Sequence, residues 1–204
     1  MKKTGFLIIA FVLVLFTAGY AGATVLTFDD LATPSYSGTQ IGSSYGGLTW
    51  DSDWYYVDAY NQAYPLSGYR NGVVSDNNVA YNGFASTVSI TDGEFDFNGA
   101  YFTAAWNTGL HITLTAGLGA DTLYTETIVI NPYGPTWFDF NFSGIDWLIF
   151  DSWGGTNAGL GGSGEHFVMD NFTFNETAVP IPGAVWLLGS GLVGLAGLRK
   201  KYFG

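Results

Sequence analysis

Leu110-His111-Ile112-Thr113-Leu114-Thr115 spells one side of a sheet: every second residue is a branched aliphatic, and histidine and threonine fill the places between. Successive side chains of a strand point to opposite faces, so this spelling predicts a strand with one core face and one wetter face. Trp137-Phe138-Asp139-Phe140-Asn141-Phe142 repeats the pattern, with Phe138, Phe140 and Phe142 expected inside and Trp137, Asp139 and Asn141 outside. Outward from these two segments, β-branched and aromatic enrichment marks further strands at 24–28, 48–51, 78–82, 87–90, 94–98, 100–106, 122–130, 145–150 and 166–174. No stretch between residues 24 and 177 sustains helical periodicity. Asn71-Gly72, Asp92-Gly93, Asn98-Gly99 and Thr108-Gly109 read as the turns between strands. Many short strands at this spacing predict an all-β, two-sheet sandwich of the jelly-roll kind, with a closed barrel as the alternative.

The ends differ from this middle. Met1 to Ala23 has a basic start (Lys2, Lys3), an apolar run from Phe6 to Phe16 and a small-residue Ala21-Gly22-Ala23 site, the three parts of a secretory signal helix. Near the C-terminus, Gly183 to Leu198 is uncharged and is followed by Arg199-Lys200-Lys201. That run predicts a single transmembrane helix whose basic end stays in the cytoplasm, so the preceding domain lies outside. The expected organisation is a signal peptide at 1–23, a β-sandwich domain at 24–177 and a tail with the membrane helix at 178–204. The middle holds roughly 155 residues, enough for one core.

Of the six basic residues in the 204-residue chain, Arg70 alone lies between the ends, against all seventeen carboxylates. A surface so acidic repels phosphate backbones, so nucleic acid is not an expected partner. There is no cysteine, so neither disulfides nor thiolate zinc sites support the fold.

Val179-Pro180-Ile181-Pro182, the apolar span with Gly189-Ser190-Gly191 and the basic stop together resemble the PEP-CTERM sorting tail in its VPLPA-type form. Ile181 stands where the commonest form has Glu, and Gly183 where the variant usually has Ala. The resemblance implies an exosortase-type sorting enzyme as partner, membrane anchoring through the C-terminal helix, and delivery to the cell surface or the exopolysaccharide matrix. The segments TVLTFDDL (24–31), YGGLTW (45–50), SGYRNGVVS (67–75), FDFNGAYFTAAW (95–106) and GGSGEHFVMDNFTF (161–174) are similar to secreted β-sandwich domains that precede such tails. Those domains resemble concanavalin-like and carbohydrate-binding sandwiches in outline.

Two constellations stand out as candidate sites. Asp29 and Asp30 close the first strand while Asp170 and Asn171 sit in the last; if those strands are neighbours, the oxygens of these four side chains suit a calcium ion, the one cofactor with a case in the sequence. Strand-end Asp and Asn also cap turns and bond backbone without any metal. Trp50, Asp51, Asp53, Trp54 and Tyr56, with Asp58 beyond and Arg70 nearby, interleave aromatic faces with acceptors, a combination that suits sugar rings. The competing expectation buries those aromatics in the core and pairs Arg70 with a carboxylate. Trp153 to Gly164 reads as a glycine-rich surface loop without the Lys-Ser/Thr ending of a phosphate cradle. His111 and His166 have no paired ligand or triad spacing, and no catalytic residue is assigned. The leading expectation is a non-enzymatic, exported surface or matrix protein. A carbohydrate-binding module for exopolysaccharide is the alternative, and a secreted glycoside hydrolase or lyase comes third.

Overall fold

The computed structural model describes residues 22–61 and 63–175. The apolar runs at 6–16 and 183–198 and the sorting motif at 179–182 lie outside the described residues. Among the described residues, no helix is long and apolar enough to cross a membrane.

Among the described residues, twelve strands, one short α-helix and one 3-10 turn follow in the order β1 (Thr24–Leu26), β2 (Thr39–Gln40), β3 (Thr49–Trp50), β4 (Trp54–Asp58), α1 (Gly68–Asn71), β5 (Asn78–Asn82), the 3-10 turn (Gly83–Ala85), β6 (Val88–Ala104), β7 (Asn107–Thr108), β8 (Leu110–Leu118), β9 (Asp121–Ile130), β10 (Thr136–Trp153), β11 (Thr156–Asn157) and β12 (Phe167–Phe174). Every strand pair is antiparallel, and β1, the first strand, pairs with β12, the last. The fold is sandwich-like and largely antiparallel β, as the alternating segments predict.

Two long strands make the sandwich. β6 runs for 17 residues and β10 for 18, paired along their length with register shifts between Asp139 and Phe142, Phe142 and Ile145, and Ile145 and Trp147. Such bulges bend a strand pair and increase its twist. One half of each strand therefore joins a layer made of β2, β4, β5 and β12, while the other half joins β3, β8 and β9. Here the structure departs from the sequence expectation: 87–90, 94–98 and 100–106 are largely one strand, as are 137–142 and 145–150. Asp92-Gly93 and Asn98-Gly99 are not turns. Gly99 lies inside β6 because a Cβ there would come within 2.3 Å of the Phe138 carbonyl oxygen on β10. Asn141 and Gly144 take positive φ at the β10 bulges, a conformation that Asn and Gly adopt at little cost.

The two layers meet over an aromatic core. Trp54 on β4 touches Phe150 on β10 edge to face, with ring centroids 5.4 Å apart, and Phe167 on β12 at 5.7 Å. Leu110, Ile112 and Leu114 are wholly buried, as their alternation predicts. Phe140 and Phe142 are buried as well, and Phe138 packs partly buried against the same core. A second cluster lies on the outside of the first layer, where the segment carrying α1 folds over the sheet and packs Tyr64 and Tyr69 against Val57, Val79, Tyr81, Trp106 and Val168. That layer is thus covered on both sides.

Candidate functional site

The second layer keeps an open outer face, and its register decides what that face displays. From β10 to β8 the pairs are Trp147 with Gly117, Ile149 with Thr115, Asp151 with Thr113 and Trp153 with His111. From β8 to β9 they continue as His111 with Val129, Thr113 with Thr127 and Thr115 with Thr125. Asp151, Trp153, Thr125, Thr127 and Val129 are exposed, while His111, Thr113, Thr115, Trp147 and Ile149 are half-buried between them. The face is therefore a lattice of threonine hydroxyls crossed by the last seven residues of β10, 147–153, which carry an indole at each end.

Both indoles are held in place. Trp153, 47% exposed, stacks on the His111 imidazole with centroids 4.2 Å apart and planes 13° from parallel. Its Nε1 donates to Thr113 Oγ1 at 3.2 Å, and Thr113 Oγ1 is in turn 3.0 Å from Thr127 Oγ1. Trp147 occupies the space that a side chain at residue 117 would need: a Cβ on Gly117 would lie 2.4 Å from its Cζ2. Its Nε1 donates to the Gly119 carbonyl at 3.1 Å. Between the rings, Asp151 accepts from Thr87 Oγ1 at 2.6 Å and keeps further lone pairs for another donor. A fixed aromatic surface with hydroxyls and a carboxylate beside it can stack on the C–H face of a ring and bond the groups at its rim.

The residues that the sequence points to for sugar binding do other work. Trp50, Trp54 and Tyr56 are buried core residues, at most 4% exposed, and present no ring to solvent. The reason is the alternation on β3 and β4, which aims them between the layers; each indole N–H finds a carbonyl there, Trp50 Nε1 on Tyr45 O at 2.9 Å and Trp54 Nε1 on Ser89 O at 3.0 Å. Tyr56 donates its hydroxyl to Ala32 O. Asp51 accepts from the Asp53 and Ser89 amides and the Ser89 hydroxyl, tying β3 to β6. The Asp53 carbonyl takes the Gly83 amide. Arg70 is exposed on α1, with its guanidinium over the Tyr60 ring, 4.9 Å from the centroid.

The expected calcium set does not converge either. Among the described residues, no three carboxylate or histidine side chains are grouped as metal ligands. Asp29 Oδ1 accepts the amides of Asn77 and Asn78, and Asp30 Oδ1 accepts the Tyr45 hydroxyl at 2.6 Å. Asp170 is wholly buried and takes four donors: the amides of Val74, Ser75 and Asn171 and the Ser75 hydroxyl. Burial pushes the Asp170 carboxyl up from the ordinary carboxylate value, and these hydrogen bonds pull against that. Asn171 sits at positive φ at a β12 bulge, a backbone task for which Asn is suited. Asp29 and Asp58, from separate sequence constellations, do come to one polar cleft of about 150 Å³, together with Asp76 and Asn77.

No family model and no curated protein matches the chain. Among solved structures, a family 61 carbohydrate-binding module in complex with β-1,4-galactotriose overlaps it at 9% sequence identity with a TM-score of 0.36. The overlap covers 64% of this chain and 87% of that one.

Proposed function

We propose that the domain is a carbohydrate-binding module of the jelly-roll or concanavalin-like kind, carried by an exported surface or matrix protein, and that it holds exopolysaccharide without cleaving it. The observation that carries the reading is the pair of immobilised indoles, Trp147 and Trp153, on an outer sheet face that the described residues leave open. Rings fixed before binding lose little freedom when a sugar stacks on them. Export, sorting by an exosortase-type enzyme and anchoring through the C-terminal helix belong to the same proposal and rest on the sequence of the two ends. Affinity gel electrophoresis of the full chain in gels containing exopolysaccharide from its own host tests the binding. Retardation that disappears in Trp153→Ala, with melting unchanged, supports the proposal; retardation that survives Trp153→Ala overturns it. Release of reducing sugar during the same incubation would replace binding with hydrolysis. Protease added to intact spheroplasts should reach the domain, and protection would contradict export.

A further inference from the structure

Resting on that reading of the open sheet face, we infer that its ligand is a neutral polysaccharide bound along its chain, spanning both indoles. Uronate-rich polymers and isolated sugars are excluded from that class. The span follows from the register. Trp147 and Trp153 lie on the same face of β10 six residues apart, and β10 pairs with β8 without a shift between them. At a strand rise of about 3.3 Å per residue their anchor points stand roughly 20 Å apart, farther than a single sugar ring reaches. Ile149 and Asp151 occupy the intervening positions of that face, with Thr115 and Thr113 beside them. A chain lying along the strand meets one stacking surface at each end and acceptors and hydroxyls between.

The charge class follows from what the face lacks. Arg70 is the only lysine or arginine among the described residues. It belongs to α1, which packs on β6 and β12 of the other layer, and its guanidinium lies over Tyr60. The open face itself carries the carboxylate of Asp151, opposite Thr113. A polyuronate brought onto it would meet like charge within a Debye length of about 8 to 10 Å and no guanidinium or ammonium to answer its carboxylates. Neutral hydroxyls, by contrast, can donate to Asp151 and exchange with the threonines.

The test is affinity electrophoresis of the full chain, with chelator present, in gels containing neutral β-glucan, galactan or xylan and in gels containing polygalacturonate. Calorimetry with neutral oligosaccharides of increasing length accompanies it. The expected result is retardation by at least one neutral polymer and none by polygalacturonate. Kd should tighten about tenfold between a disaccharide and an oligomer long enough to cover both rings. Trp153→Ala should abolish retardation by the neutral polymer, and Trp147→Ala should remove only the gain from length. Because Trp147 is half-buried over Gly117, Ile149→Glu serves as a second variant: it leaves both indoles in place and should also cut the long-chain gain. Retardation by polygalacturonate equal to the neutral polymers overturns the charge class while leaving the platform intact, provided Trp153→Ala still abolishes it. Affinity that stops rising at the disaccharide overturns the span. Binding insensitive to Trp153→Ala, or no retardation by any polymer, overturns the glycan-binding reading itself.

Discussion

Trp153 and His111 lie ring on ring, 4.2 Å apart, across the register pair that joins β10 to β8. The imidazole covers one face of the indole and Thr113 takes its N–H, so the remaining ring face has a fixed position before any ligand arrives. Removing the backing should loosen the ring without touching the core. His111→Ala is expected to weaken polysaccharide binding by about 1 kcal/mol, while stability changes by about 0.5 kcal/mol or less. Calorimetric titration beside a urea melt separates the two quantities. A variant that loses stability and keeps full affinity would make the stack a structural contact only.

Asp170 offers a different kind of test, because it is a wholly buried carboxylate. Its four donors come from Val74, Ser75 and Asn171, so Asp170→Ala strands several polar groups at once. The expected loss is on the order of 3 kcal/mol, read as a lower urea midpoint at unchanged slope. Burial raises this carboxyl in the folded state, so between the ordinary carboxylate value and the folded one the native protein binds more protons than the unfolded chain. Its contribution to stability is therefore greatest below that window and is lost as pH rises through it. The difference in unfolding free energy between wild type and Asp170→Asn should narrow with rising pH and then level off. A difference that widens with pH would mean that the hydrogen bonds outweigh burial.

Gly93 and Gly99 show how far the sequence could be read. Asp92-Gly93 and Asn98-Gly99 are spelled alike, and local chemistry assigns both to turns. Whether a Gly-containing step turns or bulges depends on the partner strand, and β10 lies forty residues downstream in the chain. The structure separates the two glycines. A Cβ on Gly93 meets nothing within 4 Å, whereas one on Gly99 would strike the Phe138 carbonyl and the Trp137 ring. Gly93→Ala should therefore be tolerated within about 0.5 kcal/mol, and Gly99→Ala should cost several times that, about 2 kcal/mol or more. Thermal melts of the two single variants decide the matter. Equal effects would refute the close approach of β6 and β10 at this point.

The candidate site was legible only in part for the same reason. His111, Thr113 and Thr115 could be placed on an outward face from alternation alone. Trp153 opens a glycine-rich stretch and reads as loop, yet it is the last residue of β10. Nothing local announces that Trp147 will settle over Gly117, because that neighbour arrives through strand pairing. Trp54 misled in the opposite direction, since its polar company of Asp51 and Asp53 suggests a surface while β4 turns the ring inward. Trp54→Ala is accordingly expected to cost about 3 to 5 kcal/mol, as a cavity among Trp50, Phe150 and Phe167, before any effect on ligand can be read. Trp153→Ala, by contrast, should leave the melt nearly unchanged. Similar melts for the two would contradict their assignment to core and surface.

His166 gives the protein a weakness toward acid that differs in sign from the effect of Asp170. Burial lowers its pKa from the ordinary histidine value, and its Nδ1 is enclosed without a hydrogen-bond partner. A proton bound there would have no acceptor close by to share it. The unfolded chain has no such penalty, so below about pH 6.5 it binds protons that the folded protein refuses, and stability falls as pH drops through the window toward the folded value. Replacing the ring with an uncharged amide removes that linkage. The stability advantage of wild type over His166→Gln should therefore shrink between about pH 7.5 and about pH 5, when urea melts of the two are compared at each pH. An advantage that grows on acidification would mean that the protonated imidazole finds a partner, and that Glu165, its neighbour in sequence, turns from the Gly154 amide to provide it.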